Sequence, residues 1–304
     1  MTPPLDMALI GATGLMGEAI LDVLAEAGFP VGRLYALASQ TSEAEGATVT
    51  FRRRELAVEE AEGFDFSKVR VVILAAPIVA APHLARLAQS AGAQVIDLSR
   101  AVDNAAFTAA DGIAVGLSTV LQPLLALSPT AVEATGMVPV SCRGRKALAE
   151  LADQTTALFN QQDMEHAVFS RRLAFNVLPQ TDEQGAAVAA DLSRLLGEEA
   201  PATVQVGLTV VPVFFGATLR LTLTFAHPTA PDALLAAWQQ SELLQYLASP
   251  ALSSASDCAG QARITLSGVS EISPQRLAVW VQFDPVRQAA LHVLRLAARV
   301  WAES

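Results

Sequence analysis

The chain has 304 residues, 52% of them hydrophobic, and carries 20 basic against 30 acidic residues, a formal charge of −10. That balance argues against nucleic acid as a partner, because neutralising phosphates needs clustered Lys and Arg. No charge-free apolar run is long enough to span a bilayer, so no membrane role is expected either. The length suits two domains, and the apolar surplus points to a subunit interface.

In chain order, MALIG (7–11) is a short apolar run that ends in glycine, and LMGEAILDVLAEAG follows with apolar residues at helical spacing. The spacing predicts a strand, a turn and a helix. Runs at 33–39, 69–77, 93–99 and 112–116, most of their length continuously apolar, with a helical stretch from Val79 to Ala91, predict further strands buried on both faces. Alternation of this kind predicts a doubly wound parallel sheet, a Rossmann-like α/β domain over 1–128. Arg52, Arg53 and Arg54 form the one basic cluster, read as a solvated sheet edge.

From about residue 136 the pattern changes. Long helices are predicted over 144–160 and 182–196, then longer, partly alternating strands at 204–216, 217–226, 262–269 and 276–283. A helix is predicted over 231–247, with proline in its first turn, and an amphipathic helix over 286–302. The expected second domain, 129–284, is α+β with a mostly antiparallel or mixed sheet, and the last helix, 285–304, completes the first domain.

The turn after the first strand reads GATGLMG. Gly11, Gly14 and Gly17 let backbone approach a pyrophosphate, and the opening of the helix offers unpaired N–H groups and positive potential. The acid that usually holds a ribose 2′-OH about twenty residues later is missing. Ser39, Thr41 and Ser42 stand there instead, suited to a 2′-phosphate, though the loop lacks an arginine.

Cys142 and Cys258 have neither the number nor the spacing of a disulfide framework, and no His, Cys, Asp or Glu cluster has metal-ligand spacing. The opening MTPPLDM lacks signal-peptide features. A cytoplasmic protein without metal is expected.

Several stretches in order, GATGLMGEAILDVLAEAGFP, AGAQVIDLSRA, VGLSTVLQPLLAL, LAFNVLPQTDEQG, VPVFFG and FDPVRQAALHVL, resemble the aspartate-β-semialdehyde dehydrogenase family, in particular its Usg-type homologues. The resemblance implies a Rossmann domain, a dimerising α+β domain, a homodimer and an NADP site built on Gly11, Thr13, Gly14, Leu15, Met16, Gly17, Ser39, Thr41 and Ser42, with Ser141 and Gly144 near the nicotinamide. It also implies a cysteine nucleophile that adds to an aldehyde, hydride transfer to NADP, and release of the acyl group by phosphate.

The family's reacting residues are not in place. Its cysteine falls on Leu117, its acid/base histidine on Ala217, its substrate arginine on Val210, and a phosphate-binding arginine on Asp103. At the cofactor, Thr41 replaces an arginine, and Cys142 and Arg143 replace small residues, so NADP binding is expected to be weak or lost. Ser118 is expected to cap the helix that begins at Leu117. Ser118 and Cys142 are the substitute nucleophiles the sequence offers, the second beside Arg143 and Arg145, which would lower a thiol pKa, but neither is expected to be catalytic. The expected function is a homologue inactive in the family reaction. The alternatives are an NADP-dependent oxidoreductase of amino-acid biosynthesis with relocated residues, or a protein-interaction subunit.

Overall fold

The structure, a computed structural model, describes residues 3–38, 46–75, 79–163, 166–249 and 253–303. It contains two compact units, 1–109 with 289–304, and 110–288. The first unit holds β1 (Leu5–Ile10), α1 (Leu15–Glu26), β2 (Val31–Ala38), β3 (Thr48–Phe51), β4 (Arg54–Glu60), β5 (Val71–Leu74), α2 (Ala81–Ser90), β6 (Gln94–Asp97) and β7 (Phe107–Thr108). Their sheet runs β3-β4-β2-β1-β5-β6-β7 and is parallel except for β3.

Alternate residues of these strands feed two cores. Met7, Leu9, Val71 and Ile73 join Ile20 and Leu24 of α1 on one face, while Ala8, Ile10, Val72 and Leu74 join Leu84 and Ala88 of α2 on the other. Burial on both faces is why these strands read as largely apolar runs, and it gives the expected doubly wound arrangement.

The arginine cluster closes the β3/β4 hairpin at the sheet edge. Phe51 pairs with Arg54, leaving Arg52 and Arg53 as a two-residue turn with φ of 49° and 64°. Such turns favour Asn and Gly, because side chains crowd the left-handed region. Here the strain is offset by Arg52 itself, which donates to the Phe29 carbonyl and lays its guanidinium 4.9 Å from the centre of the Phe51 ring.

The second unit contains α3 (Gly112–Leu121), β8 (Pro129–Val138), α4 (Arg145–Asn160), β9 (Leu178–Pro179), α5 (Asp182–Leu196), β10 (Thr203–Val210), β11 (Ala217–Phe225), α6 (Pro231–Trp238), β12 (Leu244–Leu247), β13 (Ile264–Ser273) and β14 (Arg276–Phe283). The mixed sheet runs β12-β13-β14-β11-β8-β10-β9. One face, including Val132, Leu219, Leu221, Leu223, Val279 and Val281, is buried in a core that also contains Leu117, Leu151, Leu192 and Trp238. The opposite face carries Thr218, Arg220, Thr222 and Trp280, which are half-buried, with Arg220 stacked 5.2 Å from the Trp280 ring centre. The last helix, α7 (Pro285–Ala302), begins in this unit, and its residues from 289 onward belong to the first. The expected domain boundary after residue 128 lies inside the second unit.

Three readings need correction. Residues 112–116 are not a strand but the first half of α3. All of α3 except Ser118 and Thr119 is buried, and a helix enclosed on nearly every side has the same continuous apolar sequence as a buried strand. The helix expected over 231–247 stops at Trp238, and Leu244–Leu247 pair in parallel with Ile264–Ser267 as an edge strand. The strand expected over 204–216 stops at Val210, just before Pro212, whose ring nitrogen cannot donate to a ladder.

Candidate functional site

The residues expected at the reacting centre lie on α3, β10 and β11. Asp111 starts α3. Its carboxylate accepts from Ile113 N at 2.7 Å, and its own N–H donates to Asp191 at 2.7 Å. Small residues then bring α3 close to its neighbours. A Cβ on Gly112 would lie 1.9 Å from the Pro285 carbonyl oxygen, and one on Gly116 would meet the Phe283 ring at 2.4 Å.

Leu117 is the sixth residue of α3 and not, as expected, its first, and it is fully buried. Ser118 does not cap the helix, as was expected. Asp111 holds that position, and the Ser118 hydroxyl donates back to the Val115 carbonyl at 2.8 Å, with Thr119 on the same oxygen at 3.0 Å. A hydroxyl engaged in this way is a poor candidate for deprotonation.

Val210 closes β10, paired with Val138 of β8 and Leu178 of β9, and Ala217 opens β11 opposite Phe283 of β14. Leu117, Val210 and Ala217 all belong to one continuous buried apolar cluster. β11 continues unbroken to Phe225, so His227 lies beyond the far end of the strand from Ala217.

The segment 139–144 follows β8 and is tied to the 211–216 segment by Val140 N and Ser141 N, which donate to the Val213 and Phe214 carbonyls at 2.9 and 3.1 Å. Ser141 is buried and its Oγ has no hydrogen-bond partner, so a polar atom is held ready without an acceptor or donor. Gly144, at φ 83°, turns the chain into α4.

Cys142 presents surface to solvent, yet the protein packed around it withdraws the thiol from water. That desolvation, with the Asp111 and Asp284 carboxylates nearby, raises its pKa, and Arg143 opposes only weakly. The lowering influence of Arg143 is the smallest of these, so the arginines beside Cys142 do not bring its pKa below that of a free thiol.

In the first unit, Gly11 takes φ 85°, and Gly14, in an extended conformation, precedes α1 without any side-chain cap. A Cβ on Gly17 would fall 2.3 Å from the Gly11 oxygen and 2.8 Å from Ala12 Cα. The Gly11–Gly17 loop is thus drawn tightly under the helix, and the first amides of α1, Leu15, Met16 and Gly17, have no partner one turn earlier in the helix. Bare glycine backbone at an uncapped helix start fits a pyrophosphate, with Thr13 in the same turn. Ser39, Thr41 and Ser42 lie outside the described residues. Asp103 is exposed in the loop after β6. Among the described residues no group of three or more His, Cys, Asp or Glu could hold a metal ion, and no helix is long and apolar enough to cross a membrane.

Residues 6–126 match the family described as semialdehyde dehydrogenase, NAD binding domain, and residues 121–284 match the semialdehyde dehydrogenase dimerisation domain. The chain belongs to the semialdehyde dehydrogenase family. It is 33% identical to a USG-1 protein homolog of Azotobacter vinelandii across 98% of both chains. It is 31% identical to the aspartate-semialdehyde dehydrogenase of Legionella pneumophila over 77% of this chain and 76% of that one. A solved structure of a probable aspartate-semialdehyde dehydrogenase from Pseudomonas aeruginosa superposes with a TM-score of 0.89 at 30% identity, covering 98% of each chain.

One polar arrangement in this semialdehyde dehydrogenase homologue is not evident from motifs. Glu150 and Gln154, one turn apart on α4, are buried and bonded to each other at 2.9 Å. The Glu150 carboxylate also accepts from the amides of Ala167, Val168 and Phe169, and Gln154 Oε1 accepts from Leu173 and Ala174. Together they fix the loop that precedes β9. The i, i+4 spacing of an acid and an amide on a helix otherwise rich in apolar residues was the available signal, but a solvent-facing pair would look the same.

Proposed function

We propose that this semialdehyde dehydrogenase homologue has lost the family's thioester chemistry and survives as a cytoplasmic homodimer with a weakened NADP site. The observation that carries the reading is the shared apolar burial of Leu117, Val210 and Ala217. A covalent acyl-transfer route requires a nucleophile, a base to take its proton, and a cation for the substrate carboxylate. The positions that match those roles hold isobutyl, methyl and isopropyl groups. The relocated-nucleophile alternative depends mainly on Cys142 or Ser118. The first has a raised pKa and the second is bonded to backbone.

The glycine loop supports retention of the cofactor's pyrophosphate, held by the backbone of Gly11 to Gly17. NADP, when bound, would supply a hydride acceptor. Without an arginine in the expected 2′-phosphate loop, affinity rests on uncharged groups. Titration with NADP is expected to give a dissociation constant on the order of 0.1–1 mM, and Thr13→Glu, which adds negative charge at the helix start, is expected to abolish binding. Low-micromolar affinity, or a Thr13→Glu protein that binds as the native one does, would contradict this.

A homodimer is supported by the family's dimerisation domain over 121–284 and by exposed aromatic surface inside that range.

A further inference from the structure

The first unit contains a cavity of about 590 Å³ bounded by α2, the start of β6 and the loop that follows it. We propose that this cavity binds a free α-amino acid as its zwitterion.

The walls are fixed in advance. Asp97, fully buried at the end of β6, accepts from Ser99 N at 2.8 Å, Ser99 Oγ at 2.6 Å and Val102 N at 3.3 Å. At the far side of the loop, Gln89 of α2 donates to the Asn104 carbonyl at 3.1 Å. The loop is thereby tied to strand and helix at two points, with Arg100 and Asn104 in the left-handed region at φ 62° and 57°. A cavity whose walls are already ordered does not lose affinity to ordering them.

The charges select the ligand. Arg86 from α2 and Asp103 from the loop both line the cavity. Among the described residues neither has an ion-pair or hydrogen-bond partner, so the two do not reach each other within 4.0 Å. Opposite charges facing one space without pairing suit a ligand that carries both signs a short distance apart. An α-carboxylate meets the forked donors of Arg86, and an α-ammonium meets Asp103. Phosphate would face the Asp103 carboxylate, and a simple cation would face Arg86, so each is disfavoured by one of the two. Val95 and Val102 give the lining an apolar part for a side chain.

The test is calorimetric titration of the full chain with L-leucine, and then with N-acetyl-L-leucine, which lacks the ammonium, and L-leucinamide, which lacks the carboxylate. L-aspartate and L-lysine extend the series. At least one of the three amino acids is expected to bind, and Arg86→Gln and Asp103→Asn are each expected to weaken that binding at least tenfold. Both residues are exposed, so the unfolding midpoints of the variants should match the native protein. For leucine, either blocked analogue should lose at least the same factor. The proposal is overturned if none of the three amino acids binds up to ~10 mM, or if binding survives both substitutions unchanged.

Discussion

Leu117→Ala is expected to destabilise the protein by about 2–5 kcal/mol, the range for deleting a fully buried leucine side chain from a packed core. Leu117 is 0% exposed and lies within the cluster that includes Val132, Leu219 and Phe283. Gly116 beside it has no room for even a methyl group against the Phe283 ring, so the surroundings are poorly able to collapse into the space left behind. At a catalytic nucleophile the same truncation would abolish turnover and barely change stability. Denaturant unfolding, read as a shift in midpoint at constant slope, checks the prediction. A loss below about 1 kcal/mol would show that the position is not packed as described. The reverse experiment is equally informative. Leu117→Cys is expected to yield no dehydrogenase activity, because the thiol would enter hydrocarbon, where its pKa rises, with Ala217 and Val210 supplying neither base nor guanidinium. Substantial activity from that single change would mean the defect has been misplaced.

Phe175→Asp together with Phe159→Asp is expected to weaken the proposed homodimer at least ~30-fold, the loss that corresponds to about 2 kcal/mol at an interface anchor. Phe159, at the end of α4, is 75% exposed and Phe175 is 67% exposed, and their rings meet edge to face with centroids 5.9 Å apart. Val168 and Val177, close to Phe175 in the chain, are also exposed. Phe175 holds φ at 55°, a conformation that costs a non-glycine residue roughly 1 kcal/mol or more. The hydrogen bonds from Leu173 and Ala174 to Gln154 keep it there. Strain maintained in order to display a large aromatic ring to solvent is reasonable if the ring is covered in the assembled protein. Sedimentation equilibrium measures both the native association and its loss. A native protein that is already monomeric, or a variant dimer as tight as the native one, would refute the assignment.

Much of the fold was legible because the first unit follows simple rules. β1, β5 and β6 are largely buried on both faces and read as mostly apolar runs, β5 without a polar residue, and α5 and β14 begin and end where their periodicity does. The failures have physical causes. The α3 segment GIAVG has the composition of a buried strand, and only the Asp111 cap and the close packing at Gly112 and Gly116 show that it is a helix. β8 was missed although its buried positions alternate with exposed ones, because several of those buried positions are Pro129, Ala134 and Gly136, which carry little apolar signal. In α6 the apolar spacing carries on past Trp238 into Leu243 and Leu244, and pairing with β13 takes precedence over that local pattern. At the candidate site, sequence alone picked out Leu117, Val210 and Ala217, but not their common burial. It also could not see the partners of Glu150 and Gln154, which are backbone amides from a distant loop and leave no trace in side-chain identity.

The central claim, that the positions matching the family's reacting residues supply no thiol to add to an aldehyde and pass through hydride loss to a thioester, is tested most directly by incubating the purified protein with aspartate semialdehyde, inorganic phosphate and NADP and following reduced nicotinamide by absorbance. The expected result is a rate indistinguishable from a protein-free control at every phosphate concentration. Phosphate-dependent NADPH formation that scales with protein concentration would contradict it.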